Sequence, residues 1–167
     1  MTGSDLAQQF ANALSAVQGA PEILDSAEQA FARARELAAD RTILIDDHPD
    51  LGTLPAEFSD RIASDPWHAQ AGITGVTAAA ADTGTLVLAA SPSTPRSTSL
   101  LPPMHVAIVP FSRLAPTYAD AFEVIAALDP QPSSIHLISG PSRSADIEFK
   151  LVRGVHGPAD VHVLLHP

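Results

Sequence analysis

The chain has 167 residues, of which 46% are hydrophobic and 17% are charged; it contains no cysteine and carries a formal net charge of −10 at pH 7. This composition predicts a single domain with a packed core, and it excludes a disulfide framework or a cysteine-ligated metal cluster within the chain. The negative charge argues against sequence-independent binding to nucleic acid, which requires many basic side chains.

The charge divides the expected single domain, 1–167, into two parts. Residues 1–65 carry twelve acidic side chains and four arginines, and we expect an acidic, helix-rich N-terminal part there, followed by a motif-bearing core over 72–165. The start of the chain lacks the features of a signal peptide, and the longest apolar stretch, 100–111, is broken by prolines. We therefore expect a cytoplasmic protein without a membrane span.

Helical and strand-like patterns alternate along the sequence. The predicted elements, in chain order, are a helix from a Ser4 cap to Val17, a helix after a capping box of Ser26 and Gln29, a strand at 42–45 ending in Asp46-Asp47-His48-Pro49, a brief helix from Pro55 to Ala63, an alanine-rich helix at 77–81, strands at 85–88 and 105–109, a helix at 116–128, and strands at 134–138 and 160–165. Apolar strands separated by helices indicate an α/β fold with a mostly parallel sheet covered on both faces.

A small, polar turn follows the strand predicted at 134–138. Open α/β sheets bind ligands at such turns, at the carboxyl ends of their strands. Gly140 permits conformations that a side chain forbids, exposed N–H groups can bind an anion, and Arg143 offers a planar fork for a carboxylate or phosphate. The alternative is an ordinary strand-to-helix turn capped by Asp146. The candidate ligand-binding residues here are Ser139, Gly140, Pro141, Ser142, Arg143 and Asp146.

A second candidate segment is 82–85, before the strand at 85–88. Gly84 can adopt a left-handed conformation between Thr83 and Thr85, and Asp82 can point into a cleft. The alternative is a helix C-cap that leads into the strand. Elsewhere, Arg113 and Arg153 are more typical of surface counter-charges than Arg143 is.

The histidines do not form a metal site by spacing, since His162 and His166 would lie about 13 Å apart on one strand. His105, at a strand's start, is expected to be structural. His156, in a glycine-containing turn, could contact a ligand and titrate near neutrality, or make only a structural hydrogen bond. Dinucleotide, nucleoside-triphosphate and serine-hydrolase motifs are absent from the sequence.

Taken together, five ordered segments resemble the LUD-domain family, whose best-known member type is lactate-utilisation protein C. They are Gly-Ile-Thr-Gly (72–75), Asp-Thr-Gly-Thr-Leu-Val (82–87), Ser-Leu-Leu-Pro-Pro-Met-His (99–105), Ser-Gly-Pro-Ser-Arg-Ser-Ala-Asp-Ile-Glu (139–148) and Gly-Val-His-Gly-Pro (154–158). The resemblance runs from Gly72 to Leu165. Where the family typically has glutamate, this chain has Asp82, whose carboxylate reaches one methylene less far.

The resemblance implies the three-layer α/β/α architecture of ribose-phosphate isomerases, glucosamine-phosphate deaminases and coenzyme A transferases. It also implies an accessory role in oxidation of L-lactate to pyruvate, in which the chain binds a small organic acid such as lactate or pyruvate or docks an iron–sulfur partner protein. We expect no cofactor in this chain, with iron–sulfur clusters only in the partners. The expected pocket joins Thr83–Thr85 and Ser139–Arg143 to His156, with Arg143 gripping the carboxylate.

Two alternatives remain open from the sequence. One is a free-standing enzyme acting on a sugar phosphate or an acyl-coenzyme A, in which Asp82 is the acid–base group or nucleophile and His156 its partner. The other is a scaffold subunit without a ligand. Because one fold supports many chemistries, the architecture alone does not choose between them.

Overall fold

The computed structural model describes residues 1–145, 151–153 and 157–167. Its helices are α1 (Gly3–Ala16), α2 (Ala27–Ala38), α3 (Leu54–Glu57), α4 (Ser97–Leu100) and α5 (Tyr118–Ala126). Its strands are β1 (Ala20–Ile23), β2 (Ile43–Ile45), β3 (Ala71–Thr74), β4 (Ala78–Ala80), β5 (Thr85–Ala89), β6 (Met104–Pro110), β7 (Leu114–Ala115), β8 (Ile135–Ile138), β9 (Arg143–Ala145), β10 (Leu151–Arg153) and β11 (Asp160–His166).

Short polar side chains set the starts of the longer helices. Thr2, rather than the predicted Ser4, caps α1: its hydroxyl accepts from the Asp5 backbone N–H, and the Asp5 carboxylate accepts from the Thr2 backbone N–H. Ser26 caps α2 as predicted and accepts from the N–H of Gln29. Such caps satisfy backbone donors that a first helical turn leaves unpaired.

The central sheet has five strands in the order β1-β11-β6-β3-β2, and every neighbouring pair is parallel. Strand β11 lies between β1 and β6, with Val163 opposite Ala107. The sheet draws β1 and β2 from the acidic N-terminal part and the other strands from the later part, so the two parts share one sheet.

Side chains of β6 alternate between two hydrophobic clusters. Val106 and Ile108 pack with α2 and α3 on one face, whereas Ala107 and Val109 pack with α1 on the other. All four are fully buried. This period of two, in a strand that is apolar on both faces, is the expected signature of a parallel sheet covered on both sides.

A second, mixed sheet of order β7-β4-β5-β8 covers part of the α1 face of the central sheet. Leu86 and Ile138 point toward the central sheet, and Val87 packs against α5 on the outer side. Strands β9 and β10 form a separate antiparallel pair. The chain therefore continues after residue 142 as strand β9, and the alternative of a helix capped by Asp146 falls on residues outside the described ranges.

One predicted helix is a strand in the structure. The alanine-rich segment at 77–81 is strand β4 and not a helix, because its small side chains are buried between the central sheet and α5, and this packing outweighs alanine's helix propensity. Gly84 does adopt the predicted left-handed conformation, with φ 63°, but in the tight turn between β4 and β5. Strand β1 was not predicted; its Pro21 is compatible with an edge position.

The fold class is confirmed: the chain is α/β, with a mostly parallel central sheet flanked by helices. Within the described ranges, no helix combines the length and apolar character needed to cross a bilayer.

Candidate functional site

Two of the predicted segments meet in the structure. The hydroxyls of Thr85 and Ser139 lie 2.7 Å apart and share a hydrogen bond. The backbone N–H of Ser142 donates to the carbonyl of Pro158 at 2.8 Å. Pro158, the last residue of the predicted segment 154–158, is therefore next to the 139–143 segment. Asp146 and His156 lie outside the described residues.

The glycines of these turns pack against the carboxyl end of α1. Gly84 and Gly140 have φ values of 63° and 87°. A Cβ on Gly84 would collide with the backbone of Leu14, and one on Gly140 would lie 2.7 Å from the carbonyl oxygen of Val17. The positive φ values and the close approach to α1 thus both require glycine at positions 84 and 140.

The predicted site is largely a surface. Asp82, Thr83, Ser139 and Arg143 are exposed, whereas Gly84, Thr85 and Pro141 are buried and Gly140 and Ser142 are intermediate. The exposed Arg143 begins β9. A carboxylate bound here would stay in water, where a charged hydrogen bond contributes less than it does in a cleft.

A cleft of about 750 Å³ lies elsewhere, at the carboxyl ends of β2 and β3. His48 lines it after β2, Thr77 after β3, and Arg113 after β6; Pro130 and Pro132 form part of another wall. Parallel sheets bind ligands at this edge. The sequence contains a signal for it, the polar run Asp46–His48 directly after the apolar strand β2.

Arg113 and His48, which line this cleft, are connected through Asp50. The Arg113 Nε and Nη2 groups donate to the two carboxylate oxygens of Asp50 at 2.7 and 3.3 Å. The Asp50 backbone N–H donates to His48 Nδ1 at 3.2 Å, so Nδ1 acts as an acceptor. Burial lowers the pKa of His48, as does Arg113, while Asp50 opposes the shift. We conclude that His48 is neutral at pH 7. The Arg113 side chain is 36% exposed and ion-paired with the Asp50 carboxylate, which is 16% exposed.

The two glycines of the Gly-Ile-Thr-Gly segment make room for two different neighbours, His48 and α4. A Cβ on Gly75 would collide with the imidazole of His48, and one on Gly72 would collide with the carbonyl of Thr98 in α4. The segment's small residues therefore leave room for the His48 ring and for the backbone of α4.

A small void of about 10 Å³ shares His48 and Thr77 with the cleft and is also lined by Asp46 and His136. Asp46 is 3% exposed, and its Oδ1 atom has no hydrogen-bond partner in the described part of the chain. Burial raises the pKa of Asp46 to about 7, against the lowering effect of a hydrogen bond from Thr98.

His136 faces the same void from β8. Its Nε2 atom lies 2.8 Å from the Ser99 hydroxyl, and its buried Nδ1 atom has no partner among the described residues. Burial lowers the pKa of His136, and Arg96 adds to this effect. Two of the residues that line the void, Asp46 and His136, thus each have a buried polar atom without a hydrogen-bond partner among the described residues.

His105 lies deeper in the protein. It is fully buried, its Nε2 atom lies 2.8 Å from the Thr74 hydroxyl, and burial, together with His136, lowers its pKa to about 3. These contacts support the structural role expected from the sequence. Over residues 1–145, 151–153 and 157–167, no three metal-ligating side chains are close enough together to hold an ion.

Comparisons with known proteins identify the family. The LUD domain model matches residues 57–166. Lactate utilization protein C from Exiguobacterium sp. (strain ATCC BAA-1283 / AT1b) is 46% identical over 103 residues, which cover 59% of this chain and 45% of that protein. Lactate utilization protein C from Bacillus subtilis (strain 168) is 38% identical over 133 residues, 75% of this chain and 55% of that one. The chain thus spans about half the length of these relatives.

The fold has a counterpart in a crystal structure. A DUF162 family protein from Deinococcus radiodurans matches with a TM-score of 0.70 and 21% sequence identity, over 100% of this chain and 99% of that chain. This match concerns the fold alone. The family model covers more than half of the chain and ends within the central strand β11, and the chain belongs to the LUD domain family.

Proposed function

We propose that this chain is a component of a lactate-utilising system and that it binds a small organic acid, such as lactate or pyruvate, in the cleft at the carboxyl edge of the central sheet. The names of its relatives support the lactate system. The position of the cleft supports the location of the ligand.

The observation that carries the proposal is Arg113 in the wall of that cleft. A guanidinium has five N–H donors, so two hydrogen bonds to Asp50 do not exhaust it. Asp50 also fixes the plane of the fork, which reduces the entropy lost when a carboxylate binds to it. Neutral His48, next to the same Asp50, adds a ring N–H that suits a carboxylate or a hydroxyl oxygen.

The cleft is larger than a three-carbon acid requires. Its outer wall includes Pro92, Pro130 and Pro132, which offer a rigid, mostly apolar surface. We propose that the acid occupies the inner end near His48 and that the outer part receives a larger co-reactant or a segment of a redox partner. Since the chain has no cysteine, we propose that iron–sulfur clusters of the system reside in partner proteins.

Calorimetric titration with L-lactate and with pyruvate tests the proposal, with Arg113→Gln and Arg143→Gln as matched variants. Losing a charge-assisted hydrogen bond removes about 1.5–3 kcal/mol, so Arg113→Gln should weaken binding at least about tenfold. Arg143→Gln should leave it within about twofold of the wild type. The opposite result would move the site to the surface formed by 83–85 and 139–143. Absence of binding by the wild-type protein would refute the proposal.

A free-standing enzyme remains a second candidate because of Asp46. A buried carboxyl group with a strongly raised pKa, beside a cleft, is typical of acid–base catalysts. Turnover of a sugar phosphate or an acyl-coenzyme A by the purified protein alone, abolished in Asp46→Ala but not in Asp82→Ala, would favour this candidate. No turnover with either substrate class would count against it.

A further inference from the structure

The void behind the cleft presents an unusual combination of buried polar atoms. Asp46 Oδ1 and His136 Nδ1 are both buried, both belong to residues that line this void, and neither has a hydrogen-bond partner among the described residues. Leaving a buried polar atom unpaired normally costs stability, so two such atoms around one void call for an explanation. Imperfect packing is a poor explanation, because apolar side chains could fill this space without leaving buried polar atoms unpaired.

The dimensions of the void limit what can enter it. About 10 Å³ is room for a single oxygen atom with its hydrogens, such as one water molecule or the hydroxyl of a larger ligand. The void shares His48, Thr77, Ala89 and Thr94 with the cleft. The two spaces therefore adjoin, and a ligand in the cleft lies next to the void.

The two side chains complement such an oxygen. Asp46 can donate a hydrogen bond to a carbonyl oxygen when it is protonated, or accept one from a hydroxyl when it is ionised. His136, whose other nitrogen is held by Ser99, can do either according to its tautomer. The backbone N–H of Asp46 donates to the carbonyl of Ile73 at 3.1 Å, and His136 is paired with Leu88 in the second sheet, so the backbone holds both side chains in place.

We infer that Asp46 and His136 bind the C2 oxygen of the acid in the cleft, and thereby select 2-hydroxy and 2-oxo acids over acids that lack this oxygen. The inference rests on the proposed function, since it presumes that the cleft binds a small acid. Asp46 and His136 are then specificity-determining residues, and the void is the subsite for the oxygen. A site that hydrogen-bonds a ligand oxygen rejects the analogue without it, because its own polar groups then stay unpaired.

Comparing L-lactate and pyruvate with propionate, which has the same carbon chain without the C2 oxygen, tests the inference on the wild-type protein. We expect propionate to bind at least about tenfold more weakly than either. In Asp46→Ala, lactate and propionate should bind within about threefold of each other, whereas Asp46→Asn, which keeps a donor and an acceptor, should retain most of the wild-type preference. Asp60→Asn, at an exposed carboxylate outside the cleft, should behave as the wild type.

The outcomes separate this inference from the proposed function. If propionate binds the wild type as tightly as lactate does, and Arg113→Gln weakens both, the cleft binds acids but the void selects nothing, and the inference is overturned. Retention of the full preference in Asp46→Ala would also overturn it. If Asp46→Ala does not fold, His136→Phe, which removes both ring nitrogens, provides the same comparison. If no acid binds, both proposals fail.

Discussion

Replacing Asp46 by asparagine should change how the stability of the protein depends on pH. Asp46 is 3% exposed, and burial raises its pKa from an ordinary 3.8 to about 7. Asparagine has nearly the same shape but no ionisable group. The comparison of the two proteins therefore isolates the free energy of ionising this one carboxyl group.

The sign and size of the effect follow from the two pKa values. Between 3.8 and about 7 the unfolded chain has lost the proton of Asp46 while the folded protein still holds it. The free energy of unfolding therefore falls as pH rises through this interval, by about 1.4 kcal/mol per pH unit and about 4 kcal/mol in total. The contribution of the protonated group is complete below pH 3.8 and lost above about pH 7.

Urea unfolding of the wild type and of Asp46→Asn, at several values between pH 4 and pH 8, measures this difference. The two should be similar near pH 4, and the variant should be the more stable by up to about 4 kcal/mol near pH 8. The difference in free energy of unfolding between the two proteins removes the contribution of histidine titration, because both contain the same histidines. The control Asp60→Asn, at an exposed carboxylate, should differ from the wild type by less than about 0.5 kcal/mol throughout. A difference between wild type and Asp46→Asn that stays constant with pH would refute the reasoning.

Two further variants probe the interior and the turns. Burial lowers the pKa of His105 to about 3, so below pH 6.5 the unfolded chain binds a proton that the folded protein does not, and the free energy of unfolding falls as pH falls. His105→Gln should therefore lose less stability in acid, as measured by acid unfolding followed by circular dichroism. An unchanged pH profile would contradict a buried, neutral His105. Gly140→Ala should lower the free energy of unfolding by about 1–3 kcal/mol, because φ is 87° and the new Cβ would lie 2.7 Å from the Val17 carbonyl. Gly3→Ala, in the first turn of α1, has no positive φ, and its new Cβ would lie 3.2 Å from the Phe111 Cβ rather than against backbone, so it should lower the free energy of unfolding by less than Gly140→Ala does. Urea unfolding measures both, and an effect of Gly140→Ala no larger than that of Gly3→Ala would contradict backbone strain at residue 140.

Much of the fold could be predicted because its signals are local. The strand at 105–109 is apolar on both faces, and the capping residue Ser26 lies immediately before α2. Where prediction was wrong, tertiary packing decided the outcome. The alanines of β4 favour a helix by intrinsic propensity, but they are the residues that allow two sheets and α5 to approach closely.

The candidate site was harder to predict because it is assembled from distant parts of the chain. Asp50 and Arg113 are 63 residues apart in sequence and Ser99 and His136 are 37 apart, so no motif search could pair them. The conspicuous glycine turns at 84 and 140 do converge, through Thr85 and Ser139. Their closest neighbour is the end of α1, which no local pattern in the sequence indicated.

The position of β11 has a consequence for how the protein is assembled. This strand is flanked by β1 and β6, although residues 160–166 follow both of them in the chain. During synthesis the edge formed by β1 has no hydrogen-bonding neighbour in the parallel sheet until those residues leave the ribosome. Pairing of β11 with β1 and β6 is therefore a late, long-range step in folding. The loop-closure entropy of bringing these strands together must be overcome before the hydrophobic clusters on the two faces of the sheet are fully buried.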